Sequence, residues 1–202
     1  YGTELGKKGG FLNFTFSAQF RDKTHRAGTF DGDIFNAYNA IERRALNHGD
    51  NLSRYFSNIN VNADPRLLGL IKGYAGEVDY FDSSYLAQIQ SANSIADLQP
   101  ILKKDFTEQE LAYRGLNRKD YNMHVGQSSL LGTQFFVNAA FPVSDNWEIY
   151  TFGGQSYRYG EAGGFFRRPN QARTFTGLYP NGYLPKITTD IQDSSISAGI
   201  RG

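Results

Sequence analysis

One stretch of the chain gathers aromatic rings and guanidinium groups: Tyr157, Arg158, Tyr159, Phe165, Phe166, Arg167, Arg168 and Arg173. An arginine offers a planar fork of donors to a carboxylate or phosphate, and an aromatic face stacks on a sugar or a flat chelate. These residues mark a candidate ligand-binding site at a strand end and in the Gly- and Arg-rich loop after it, Gly160 to Pro185. They serve equally well as an interfacial girdle, with the arginines meeting charged lipid headgroups.

Other chemistries have less to stand on. His25, His48 and His124 lack the spacing of a metal site and read as loop or strand histidines. Asp105, Glu108 and Glu110 read as a solvated helix start, not an acid pair. Ser128-Ser129 and Ser194-Ser195 lack the glycine pattern of a nucleophile elbow, and Gly160 to Gly164 lacks the Gly-Lys-Ser/Thr ending of a phosphate loop. With no cysteine there is neither a disulfide framework nor a thiolate metal site. The expectation is a protein without a catalytic residue, metal or cofactor. A formal net charge of +1 argues against a nucleic-acid partner.

The elements that would position these residues alternate with period two. From Phe11 to Asp22 the even positions are Leu12, Phe14, Phe16, Ala18 and Phe20, and the odd ones between them are Asn13, Thr15, Ser17, Gln19 and Arg21. That pattern is a β-strand with one large apolar face and one uncharged polar face. Its length suits a tilted strand crossing a bilayer, which needs about ten residues. The alternation returns after Val125, where Phe135, Val137, Ala139 and Phe141 share a face with Leu131. Gln134, Asn138 and Ala140 oppose them, and Phe136 breaks the polar side. Trp147 to Tyr159 is aromatic on both faces, so its orientation stays open. Ser194 to Gly202 alternates again. With Tyr1 to Leu5 this makes about five strand segments. An aromatic fraction of 15% alongside a mean hydropathy of −0.50 fits strands that dilute an apolar face with a polar one.

Between His25 and Tyr121 the period changes. Asp33 to Leu46 has helical spacing at Ile34, Tyr38, Ile41 and Ala45, and Asp64-Pro65 reads as a helix start. Ser94 to Asp97 reads as a capping arrangement, and Thr107 to Glu110 as a capping box before Leu111 to Arg114. Connections therefore alternate in length: short at Gly6 to Gly10, very long at His25 to Tyr121, short at Pro142 to Asn146, long again at Gly160 to Pro185. Outer-membrane barrels have this asymmetry, with short periplasmic turns and long extracellular loops.

Several stretches resemble the barrel domain of TonB-dependent outer-membrane receptors. They are Y-G-T-E-L-G-K-K-G-G-F-L-N-F-T-F-S-A-Q-F-R-D-K-T-H-R-A-G, R-G-L-N-R-K-D-Y-N-M-H-V-G-Q-S, W-E-I-Y-T-F-G-G-Q-S-Y-R-Y-G-E-A-G-G-F-F-R-R-P and L-Y-P-N-G-Y-L-P-K-I-T-T-D-I-Q-D-S-S-I-S-A-G-I-R-G. These are strand, turn and loop texts; none is catalytic. The resemblance implies an all-β fold: a segment of a 22-stranded transmembrane antiparallel barrel, residues 1–202 lying in the barrel domain and 25–121 forming a long, partly helical extracellular loop. It implies a place in the outer membrane of a Gram-negative bacterium and uptake of a scarce nutrient, such as a metal chelate, oligosaccharide or peptide. Expected partners are outer-membrane lipid, that nutrient, and the TonB complex acting through a plug domain not seen in this chain. A surface lipoprotein is a further candidate partner. On this reading Leu12, Phe14, Phe16, Ala18, Phe20, Phe135, Val137, Ala139 and Phe141 face lipid, and the chain is expected to be part of a longer barrel, since about five strands cannot close one. The competing expectation is a soluble or surface-attached β-sheet binding module with a helical insertion.

Overall fold

The computed structural model describes residues 1–52 and 65–202, so Asp64 of the expected helix start lies outside the described residues. Five strands, β1 (Gly2–Leu5), β2 (Gly10–Arg21), β3 (Ser129–Pro142), β4 (Glu148–Gly163) and β5 (Lys186–Arg201), form one antiparallel sheet in the order β1-β2-β3-β4-β5. Each strand pairs with its sequence neighbours, giving an open meander. All the short connections therefore fall at one end of the sheet and both long ones at the other. In the first turn Gly6 and Gly9 take φ of 73° and 82°, a region a side chain would strain. Lys8 of this turn donates to Asp145 of the β3–β4 turn at 2.7 Å.

The chain divides into two units. The first is the sheet with its strand ends, Tyr1–Arg26, His124–Gly164 and Lys186–Gly202. The second is Ala27–Met123 together with Phe165–Pro185. The expectation of an all-β fold is therefore too narrow, because the second unit is helical. The described helices are α1 (Ala37–Asn47), α2 (Pro65–Ala75), α3 (Ser83–Ser91), α4 (Ile95–Ile101) and α5 (Thr107–Arg114), with a 3-10 turn at Arg118–Tyr121. Among the described residues no helix is long and apolar enough to cross a membrane.

Local chemistry sets these helix ends. Ser94 caps α4 with Asp97, as expected, and Asn36 caps α1 reciprocally with Asn39, a pair not expected from the sequence. The helix around Ile34 begins later than its spacing suggests, because Ile34 and Phe35 are buried in an extended lead-in. The capping box at Thr107 does not form. Thr107 lies inside the helix, and its hydroxyl accepts from the backbone N–H groups of Ile34 (2.8 Å) and Phe35 (3.2 Å). Asp82 caps α3, which the sequence pattern did not disclose. Leu67 and Ile71 of α2, Tyr85 and Ile89 of α3, and Leu98 of α4 pack with Ile41 and Ala45 of α1 into one buried core. Spacings of three and four put each such pair on one helix face.

α1 is buried on nearly every side, and it carries charge into that interior. Glu110 of α5 is fully buried, not solvated as its place in an acidic helix start suggests. Its carboxylate accepts from Arg44 Nη1 and Arg114 Nε, each at 2.5 Å, and from the Tyr80 hydroxyl. The Arg44 guanidinium lies 3.6 Å from the Tyr113 ring centre, and that of Arg114 lies 4.3 Å from the ring centre of Phe35. Removing the carboxylate leaves two buried cations facing each other. Glu110→Ala should destabilise the helical unit by about 3–5 kcal/mol, read as loss of hydrogen-exchange protection in α1 and α5; retained protection would show that the arginines find other partners.

Candidate functional site

The ladder register carries the two faces of β2 across the sheet. Paired residues point the same way, so Phe16 shares its face with Phe135, Gln155 and Ser194, and Ser17 shares the other with Gln134, Ser156 and Asp193. Leu12, Phe14, Phe16, Ala18 and Phe20 from β2 and Phe135, Val137, Ala139 and Phe141 from β3 point to one side of the sheet. The register also settles β4, whose orientation the sequence left open. Ile149, Tyr157 and Tyr159 lie on the Phe16 face, while Tyr150, Phe152 and Arg158 lie on the Ser17 face.

Neither face is packed into a core. Phe16 is 66% exposed, Phe20 78% and Ile196 83%. On the Ser17 face, Ser17, Gln19, Gln134, Ser156, Arg158 and Asp193 line a shallow depression of about 370 Å³. Nearer the short turns this face carries rings as well. Tyr150 and Phe152 stack with centres 6.4 Å apart, the Arg201 guanidinium lies 5.4 Å from the Tyr150 ring centre, and Phe136 stands on the same side. Trp147, beside the short β3–β4 turn, is exposed.

The aromatic and arginine set is divided between the two units. Alternation along β4 points Tyr157 and Tyr159 to one face and Arg158 to the other. The remaining five belong to the helical unit. There Phe166 packs on Tyr121 with ring centres 5.2 Å apart, and Arg168 stacks 4.3 Å from the Phe30 ring centre. Arg167 exchanges backbone hydrogen bonds with Tyr183 at 2.8 and 3.0 Å. Phe165 and Arg173 are exposed. Two members of the set are thus spent on packing. The loop is no free connection either: Asn39 donates to Pro169 O, Asn170 to Asp33 O, and Arg114 to Pro180 O.

Two clusters escaped the sequence reading. His25 and His124, distant in sequence, bring their ring centres to 4.8 Å. His124 titrates below the usual histidine value, through burial first and then the positive charge of His25 and Lys23. His48 pairs with Glu77 at 2.9 Å. Among the described residues no group of three or more histidine or acidic side chains could hold a metal ion.

The second cluster centres on Glu42 of α1, which is buried and accepts from the Thr176 hydroxyl at 2.5 Å. Burial pushes its carboxyl up to about 7, against the opposing pull of Thr176, Arg114 and Asn39. A recess of about 160 Å³ lies beside it, lined by residues including Tyr38, Asn39, Pro169 and Thr176. That is small against the roughly 300–1,000 Å³ of ordinary ligand sites. The only sequence signal for Glu42 was its place between Ile41 and Ala45, and spacing alone put it on the edge of the apolar stripe.

Fold and site together define an open antiparallel sheet whose apolar and polar faces are cleanly separated along β2 and mixed by β4 and β5, joined to a helical unit with its own core. No family model, curated protein or solved structure matches the chain.

Glu42 makes the helical unit sensitive to pH. Below about 4.5 both folded and unfolded chains hold its proton; between about 4.5 and 7 only the folded one does, so stability falls as pH rises through that window. Glu42→Gln keeps an acceptor for Thr176 and removes the ionisation. In denaturant titrations followed by helical circular dichroism, the variant should exceed the parent by up to about 3 kcal/mol near pH 8 and match it near pH 4. An equal difference at both pH values would exclude Glu42 as the titrating group.

Proposed function

We propose that this chain is part of a TonB-dependent outer-membrane receptor, its sheet a section of the barrel wall and its helical unit an elaboration of the long extracellular connections. The observation that carries the reading is an extended sheet with exposed apolar side chains on one face and a mostly polar opposite face. In hydrocarbon the Phe16 face needs no protein cover, and in a water-filled lumen Asn13, Thr15, Ser17 and Gln19 keep the wall wet. Strands of 12, 14, 16 and 16 residues exceed the roughly 9–11 that a tilted crossing requires. Both long connections leave from one end, as they do on the outer side of such barrels.

The reading has requirements of its own. The free edges of β1 and β5 carry backbone groups that lipid cannot satisfy, so further strands must flank them. Trp147 beside the short turn, and Tyr157 and Tyr159 towards the loop end, suit the two interfacial girdles. Energy would come from the TonB complex through a plug domain, and the cargo would be a scarce nutrient: a metal chelate, an oligosaccharide or a peptide. Arg158, beside Ser156 on the lumen side and paired across the ladder with Ile191, is the member of the aromatic and arginine set best situated to meet a passing polar solute. We assign the chain no reaction.

The rival reading, a soluble sheet module, requires something to cover Phe14, Phe16, Phe20 and Phe135, since a soluble antiparallel sheet buries one face. Adjacent substitutions in β2 separate the two. Phe16→Arg should sharply reduce folded protein in the outer-membrane fraction, because a lipid-facing arginine at mid-membrane costs about 2–4 kcal/mol, while Ser17→Arg should be mild. Equal yields from the two variants, or recovery of the parent without detergent, would sink the receptor reading.

A further inference from the structure

At the loop end of the sheet, the pairing of β2 with β3 continues past the regular strands. Thr24 N–H donates to Gln127 O at 3.1 Å, Gln127 N–H to Thr24 Oγ1 at 2.8 Å, and Arg26 N–H to Val125 O at 2.7 Å. His25 lies between two of these anchored residues and His124 adjoins a third, so both backbones are held. The two imidazole planes are inclined at 54° with centres 4.8 Å apart. Gly163 at the end of β4 closes the site from beneath. A β-carbon there would stand 2.9 Å from His124 Cβ and 3.2 Å from Nδ1, so a larger residue would displace the ring.

We propose that His25 and His124 form a two-histidine site for a divalent transition-metal cation of the copper and zinc class. Such an ion holds an imidazole nitrogen at about 2.0–2.1 Å, which sets each ring centre about 3.2 Å from the metal. Two rings meeting there at roughly 90–110° have centres about 4.5–5.2 Å apart. The observed separation falls in that interval with no movement of the backbone. Imidazole donors select copper, nickel and zinc over calcium and magnesium, which take oxygen ligands. Glu161 does not complete the set, since its carboxylate pairs with Lys186 Nζ at 3.0 Å. Water fills the remaining positions, and the exposed side of His25 gives the ion its way in.

The consequence is mechanical. His25 and His124 stand where the chain leaves the sheet and where it returns, so a shared cation ties off the whole intervening connection at its base. Closing a long connection in this way removes conformational freedom that the backbone hydrogen bonds alone leave at the strand ends.

The test uses the purified full chain and Cu²⁺ alone, read by electron paramagnetic resonance. The parent should bind one ion at this site whose nitrogen hyperfine pattern comes from two imidazoles, with Zn²⁺ displacing it and Ca²⁺ failing to. His25→Ala and His124→Ala should each weaken binding at least about tenfold and reduce the pattern to a single imidazole. His48→Ala should change neither. Circular dichroism of the metal-free variants checks folding, and His25→Asn and His124→Asn replace any alanine variant that fails it. A parent spectrum without two imidazole nitrogens, or a two-nitrogen pattern surviving in either single variant, overturns the site and leaves the histidines as a packed ring pair.

Discussion

The sheet depends on one constraint, the continuity of its ladder register from β1 to β5. No packed interior fixes these strands, so the backbone bonds and the alternation they enforce must do it. A slip of one residue between β2 and β3 would turn Phe135 and Val137 away from Phe16 and Phe14 and set them opposite Ser17 and Thr15, or opposite Thr15 and Asn13. In water such a ladder is weakly held, because each backbone bond replaces one to solvent and nets only about 0.5–1.5 kcal/mol. In hydrocarbon the same bonds become compulsory, since an unpaired amide there has no solvent to turn to. On the proposed receptor reading, an uncovered apolar face and a register that extends over the long strands are two aspects of one physical situation.

The helical unit solves the opposite problem. It has a conventional apolar core, built from α1 to α4, and it pulls the segment Phe165–Pro185 into the same body through Asn39, Asn170 and Arg114. Its cost lies in buried charge. Glu110 neutralises Arg44 and Arg114 at close range, whereas Glu42 has a threonine and a more distant arginine and so meets most of its burial uncompensated. Two carboxylates in one interior thus differ in how fully their burial is paired. The fully paired one acts as a fixed pin for α1 and α5, and the under-paired one makes the docking of Thr176 on α1 depend on pH.

How much of this was legible follows from the range of each signal. The strands were readable because period two is local: Leu12 to Phe20 and Phe135 to Phe141 declare their faces without knowledge of any partner. β4 was not, because Ile149, Tyr150, Phe152 and Tyr157 are large on both sides and only pairing with β3 assigns them. Reciprocal caps at Ser94 were visible for the same local reason. Thr107 misled because its hydroxyl serves the remote backbone of Ile34 and Phe35. The orientations within the aromatic and arginine set were not legible, because neighbours along a strand point to opposite faces and neighbours in a loop can be drawn into packing, as Phe166 and Arg168 are. His25 and His124 were invisible as a pair because what joins them is the β2–β3 register.

The Phe16 face also carries directional information. Its apolar residues do not end at one ladder level. On β2 they reach Phe20, which is level with Leu131, Tyr159 and Asp190, whereas on β5 they begin only at Ile196, level with Phe14 and Val137. A boundary parallel to the ladder would put Asp190 at the depth of Phe20, an expensive position for a carboxylate in hydrocarbon. Strands in membrane barrels tilt by about 35–45°, which displaces ladder partners by roughly 3 Å of depth per strand, so about 9 Å separates β2 from β5. If β5 is the strand carried outward, that displacement lifts Asp190 clear of the hydrocarbon and brings Ser194 to its rim. The barrel reading thus fixes the sense of the tilt as well as its presence: tilted the other way, the same sheet would drive Asp190 deeper than Phe20.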